Sequence, residues 1–173
     1  MFNSIKNNSA LFFIIKAIGL YLLWYLLYEL WLEKQGKLDM LAINNLVFLS
    51  SNFLNLIGYT VTENLVTETI HRTINIEGAL PLWIGNPCDG LELFALFTGF
   101  IVAYPGEIIK KIIYIPFGLI SIHLLNVLRI VGLALTLYYK PEYLDFNHTY
   151  TFTILVYSYV FILWMIWTNK ISK

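Results

Sequence analysis

The sequence predicts an all-α polytopic membrane protein with about five transmembrane helices and a short hairpin-like outer segment before Cys88. Three observations carry that expectation. Of 173 residues, 58% are hydrophobic and 13% charged, and the mean hydropathy is +0.69, too little polar surface for a water-soluble domain of this length. The apolar residues gather in runs long enough to cross a bilayer. The breaks between runs are short and polar, so residues 1–173 form a single integral membrane domain without a linker or repeat.

The first predicted span, 11–32, is 22 residues long and lacks the small-residue cleavage pattern of a signal peptide, so it is expected to stay as an anchor. The second, 41–61, carries Asn44, Asn45, Ser50, Ser51, Asn52 and Asn55. It is the weakest span, because those groups must find protein partners or lie in the interface. Residues 62–72 suit a short polar helix, whereas Thr73 to Gly85 reads as two alternating pieces around a glycine turn. A short third span covers 88–104 and is closed by Pro105-Gly106. The fourth, 112–139, has 28 residues, enough for one tilted crossing but not two. A polar loop, 140–147, leads to the fifth, 148–168. With Cys88 outward, six lysines fall inside (Lys34, Lys37, Lys110, Lys111, Lys170, Lys173) and four basic residues outside (Lys6, Lys16, Arg72, Lys140). That bias favours an outer N-terminus and an inner C-terminus, and a second span that fails to cross would put the N-terminus inside without moving the rest. Trp83, Trp164 and Trp167 fall near expected interfaces.

Depth then links three distant residues. Cys88 opens the third span and His148 the fifth, while Arg129 lies seventeen residues beyond Ile112, roughly 25 Å along its helix. All three fall near one membrane face. A thiol becomes a nucleophile as its thiolate is favoured, an imidazole takes and returns protons, and a guanidinium stays charged to hold an oxyanion or carboxylate. Gly90 permits a tight turn, and free amides at the start of the third span would add oxyanion donors. His123 and Asn126, on the face of Arg129, are expected to orient it, with an interhelical hydrogen bond as the equal alternative for His123. Asp89 and Glu92 are expected to tether Arg129, His148 or a substrate.

The Cys88-Asp89-Gly90-Leu91-Glu92 stretch, Asn126-Val127-Leu128-Arg129-Ile130 and the later His148, preceded by Ile74 to Gly85, resemble the exosortase and archaeosortase superfamily, especially its short members in Bacteroidetes-type bacteria. The similarity covers 74–153. It implies a cysteine protease or transpeptidase acting on the C-terminal sorting signals of exported, membrane-tethered proteins at the outer face of the bacterial inner membrane. Cys88 would be the nucleophile, Arg129 the stabilising cation and His148 the acid–base residue. Family members often have eight spans, so this chain would be a reduced core, and an accessory membrane protein is an admissible partner. The chemistry calls for no cofactor, and one cysteine with dispersed histidines argues against a metal. Equal numbers of basic and acidic residues, eleven each, argue against nucleic acid. The competing readings are a small transporter with Arg129, His123 and Glu29 along a polar path, and a non-catalytic envelope scaffold.

Overall fold

A computed structural model describes residues 9–65 and 72–172. Lys6, Lys173 and most of the predicted helix at 62–72 lie outside those residues. Helix α1 (Ser9–Leu27) continues through a π turn (Tyr28–Leu32) to Gln35, and Gly36, at φ +59°, redirects the chain into α2 (Lys37–Leu56). Three antiparallel strands follow, β1 (Val61–Leu65), β2 (Arg72–Ile76) and β3 (Leu82–Ile84), in the order β1-β2-β3. The expected hairpin is β2–β3, with Ile74 opposite Leu82 and Arg72 opposite Ile84. The expected polar helix is replaced at its start by β1, where Val61 pairs with Ile76. A 3₁₀ turn (Asn86–Cys88) leads into α3 (Leu91–Ala103) and then α4 (Ile108–Tyr139). The predicted loop at 140–147 is helical instead, forming the start of a continuous stretch, Pro141–Ile171, around α5 (Phe152–Ile166).

Among the described residues, three helices are long and apolar enough to cross a membrane: Ala10–Gln35, Ile108–Tyr139 and Pro141–Ile171. Their outward faces are apolar, with Ile18, Leu22, Leu26, Phe117, Ile120, Ile154 and Phe161 all more than half exposed, as expected of surfaces that meet lipid. Helix α3 has 13 residues and is roughly 20 Å long, short of the ~30 Å hydrocarbon thickness.

Helix α2 does not return beside α1 as a second crossing. It runs parallel to the upper half of α4, with Asn45 against His123, Ser50 on the Val127 carbonyl, and Tyr59, just beyond its end, on Tyr139. The reason lies in its polar side chains. Asn44 accepts from Arg72 at 2.9 Å and Asn45 meets His123 at 2.7 Å, so protein supplies the partners that lipid would not. The first turns of α1 pack on the end of α3 through Phe13 with Phe100 and Tyr104, and the C-terminal turn packs on Gly106. The start of α1 and the end of the chain's last helix therefore share one end of the molecule, the arrangement expected if the second span does not cross.

Two cores meet along α4. The lower joins Leu93, Phe97 and Ile101 of α3 to Tyr114 and Ile122 of α4 and to Val156, Val160, Leu163 and Trp167. Trp167 is thus a core residue rather than an interfacial one, while Trp164 stacks on Phe100 at 4.3 Å and Trp83 is exposed. The upper core joins α2 (Ile43, Val47, Leu54), the inner face of the sheet (Ile74, Ile76, Leu82, Ile84) and the end of α4 (Ile130, Leu133, Leu137), with Cys88 at its lower margin.

Two helix glycines make opposite predictions. A methyl at Gly118 would overlap the Phe97 ring, whereas one at Gly19 meets nothing within 4 Å. Gly19→Ala gains helix propensity of up to ~1 kcal/mol, and Gly118→Ala loses about 1–3 kcal/mol through overpacking. Thermal unfolding in detergent should move in opposite directions for the two, and Phe97→Leu should relieve the Gly118 variant.

Candidate active site

The sequence Asn86-Pro87-Cys88-Asp89-Gly90 builds a corner. Pro87 lies in the first turn of the 3₁₀ element, Asn86–Cys88, where its missing N–H costs nothing. The Cys88 amide donates to the Gly85 carbonyl at 2.9 Å and the Asp89 amide to that of Asn86 at 3.2 Å. Gly90, at φ +86°, takes a conformation that side chains disfavour, and an added Cβ would lie 3.0 Å from Nδ2 of Asn126. Asp89 Oδ1 accepts from the Leu91 amide at 2.8 Å, capping α3. Asn126 Nδ2 then donates to the Cys88 carbonyl at 2.8 Å, in a fully buried contact that ties the corner to α4.

His148 comes from the far side. It lies on a π turn (Asn147–Thr151), where its carbonyl accepts from Thr153 Oγ1 at 3.1 Å. Such turns are frequent at functional sites. Its Nε2 lies 3.4 Å from the Cys88 sulfur. Arg129, three residues beyond Asn126 on α4, is only 9% exposed, and its Nε has no hydrogen-bond partner. A cavity of about 330 Å³ is walled by Asn86, Pro87, Asp89, Gly90, Glu92 and Leu93 on one side and by His148, Thr149, Thr153, Val156 and Tyr157 on the other, with Arg129 between them. Cys88 itself, 7% exposed, is not part of the cavity lining.

No family model, curated protein or solved structure matches this chain. The chemistry of the site is therefore read from its own geometry.

Burial pushes the Cys88 thiol above its ordinary value, and the Asp89 carboxylate adds to that; the Arg129 guanidinium and the Gly85 hydrogen bond act the other way. Burial prevails, so the resting sulfur keeps its proton. The S–H is then the donor and Nε2 the acceptor, which places the imidazole proton on Nδ1. This is a thiol waiting for a base rather than a preformed thiolate–imidazolium pair. Of the neighbouring charges, Arg129 alone favours the thiolate, and burial outweighs it.

The structure brings His148 and Arg129 to one cavity, with Asp89, Gly90 and Glu92 in its wall, and sets the Cys88 sulfur against His148 just outside that lining. Two supporting residues act elsewhere than expected. Asn126 holds the Cys88 carbonyl rather than Arg129, and His123 turns to Asn45 and the Phe94 ring. The interhelical alternative for His123 is the one observed. Among the described residues, neither Asp89 nor Glu92 forms an ion pair with Arg129. The Leu91 amide, expected as an oxyanion donor, is taken by Asp89, which leaves the next amides of the first turn of α3.

Two residues behind the corner were not anticipated. Asp39, at the start of α2, is fully buried, accepts a hydrogen bond from the Tyr28 hydroxyl, and is near enough to Asp89 to act on its carboxyl. No local signal marks it, since 50 residues separate it from Asp89.

Arg129 lowers the thiol's affinity for its proton, so removing it must raise that affinity further. Arg129→Gln should slow alkylation of Cys88 at fixed pH and move the alkylation profile to higher pH. A faster reaction in this variant would contradict the arrangement.

Proposed function

We propose that this chain is a membrane-embedded cysteine peptidase or transpeptidase that processes the C-terminal sorting signals of exported proteins. The observation that carries the proposal is the 3.4 Å approach of the Cys88 sulfur to His148 Nε2 beside a cavity lined by Arg129, whose Nε has no hydrogen-bond partner among the described residues. Such a site suits acyl transfer. As a substrate carbonyl enters the cavity, His148 takes the thiol proton while sulfur attacks carbon, forming a tetrahedral oxyanion. Arg129 and the open amides of α3 stabilise that charge. Collapse breaks the C–N bond, the departing amine takes the proton from His148, and the acyl group remains on Cys88 as a thioester. Water or an acceptor amine then attacks the thioester carbonyl, gives its proton to His148, and returns the thiol.

The position of the site supports a membrane-tethered substrate. The corner sits where the lipid-facing lower core gives way to the upper core of α2 and the sheet, so a peptide emerging from the bilayer meets the cavity at the boundary. In this reading the site faces the periplasmic side of a bacterial inner membrane. Apart from Arg129 at the site itself, the described basic residues divide evenly, with Lys16, Lys110, Lys111 and Lys170 towards one end and Lys34, Lys37, Arg72 and Lys140 towards the other. Orientation therefore rests on the resemblance, and an impermeant thiol probe on intact cells tests it. A polar transport path would need Arg129 and His123 to share a lining, yet His123 is bonded to Asn45.

A candidate substrate ending in an apolar segment and a basic tail should form a covalent adduct on Cys88. Cys88→Ala should abolish the adduct without unfolding the protein. His148→Ala and Arg129→Ala should each slow its formation by roughly 10²–10³-fold. Unchanged processing by Cys88→Ala would sink the enzyme reading.

A further inference from the structure

Behind the catalytic corner, three side chains from three elements form a buried chain. The Tyr28 hydroxyl, on the π turn that ends α1, donates to Asp39 Oδ1 at the start of α2. Asp39 is near enough to Asp89 to raise that carboxyl's hold on its proton, and Asp89 Oδ1 holds the Leu91 amide. Asp39 is 0% exposed and Asp89 3%, yet the second oxygen of each has no donor. Two carboxylates cannot be buried side by side without a cation or a proton between them. Among the described residues neither carboxyl has an ion-pair partner, and no group of three or more ligating side chains is placed to hold a metal. A single proton satisfies both empty oxygens at once.

We propose that Asp39 is a positioning residue for Cys88: it shares one proton with Asp89, and the resulting carboxyl pair, steadied by Tyr28, holds the corner that presents the thiol. This rests on the cysteine reading of the site. Asp89 follows Cys88 directly, so its place fixes the last turn before α3, and Asn126 fixes the carbonyl on the other side of the same peptide unit. Burial, reinforced by Asp39 and Glu92, pushes Asp89 up to about 7. Among the described residues, the other charged or titratable groups around this chain are Glu33, which acts on Tyr28, Arg129, which acts on Cys88, and His148 and Tyr157, which line the same cavity as Asp89. The sign follows from the raised value. The pair keeps its proton below about pH 7 and loses it above, when two buried carboxylates repel and the corner loosens. Presentation of the thiol therefore worsens through the same range in which a simple thiol would grow more reactive.

The test uses the full chain in lipid nanodiscs without peptide. Infrared spectra should show the carbonyl band of a protonated carboxylic acid that fades through about pH 7. Alkylation of Cys88 by iodoacetamide should show an inflection in the same range. Asp39→Asn removes one of the two charges and supplies a permanent N–H donor, so Asp89 ionises at lower pH without repulsion; the band should be gone at neutral pH and the inflection near pH 7 should be lost while the thiol stays reactive. Tyr28→Phe withdraws a donor from the ionised pair and should move both features to higher pH, which keeps the test alive should Asp39→Asn fail to fold. Loss of both features in the first variant and their move to higher pH in the second support the proposal. An unshifted band and inflection in either folded variant, or a wild type lacking both, would overturn it. Because neither readout needs a substrate, absence of peptide processing with these changes intact would defeat the enzyme reading and leave the shared proton standing.

Discussion

Everything at this site depends on one buried hydrogen bond, from the Asn126 side chain to the Cys88 carbonyl. A turn at the start of a helix has little of its own to fix it, and a thiol displaced by an ångström would lose its base. The carbonyl of Cys88 is removed from water, so a missing donor would cost about 1–3 kcal/mol in addition to the bond itself. The contact also explains the glycine beside it. Gly90 must take positive φ, and it must leave room for the Asn126 amide, so two separate constraints select the same residue. From this anchor α4 carries Arg129 one turn further, and the π turn of the last helix brings His148 across to the sulfur.

Helix α4 can anchor the corner because it belongs to both cores. Its lower half packs against α3 and α5 among lipid-facing helices, and its upper half supports α2 and the sheet. The corner falls at the change from one to the other. A hydrolytic or acyl-transfer site is well placed there, since the cavity is lined by a cation and an exposed carboxylate, Arg129 and Glu92, that bare hydrocarbon would not tolerate. Burial nevertheless keeps the thiol protonated at rest, so reactivity depends on the histidine and on occupation of the cavity rather than on a standing thiolate.

The convergence of Cys88, Arg129 and His148 was legible in the sequence because it required only the helical rise and the identity of the spans. The β2–β3 hairpin was legible from alternation around Gly78. The course of α2 was not, because Asn44, Asn45 and Ser50 read alike whether they face helices in a bilayer or a sheet and helix above it. That choice decides whether the two ends of the chain share a face. The partner of Asn126 was misassigned for a related reason: helical spacing places it beside Arg129, but only the tertiary path of the Cys88 corner brings a backbone carbonyl within its reach. Asp39 carried no signal at all. A single acidic residue beside two lysines looks like a solvated turn, and only the folding of α1 and α2 against the corner buries it.

The central claim is that a thiol and an imidazole from distant parts of the chain stand within bonding distance in the membrane-embedded protein. Cadmium measures this directly, because a soft cation bound jointly by a thiolate and an imidazole is held far more tightly than by either alone. Cadmium should protect Cys88 from alkylation at much lower concentration in the wild type than in His148→Ala. Equal protection in the two proteins would mean that the ring does not reach the sulfur, and would contradict the account.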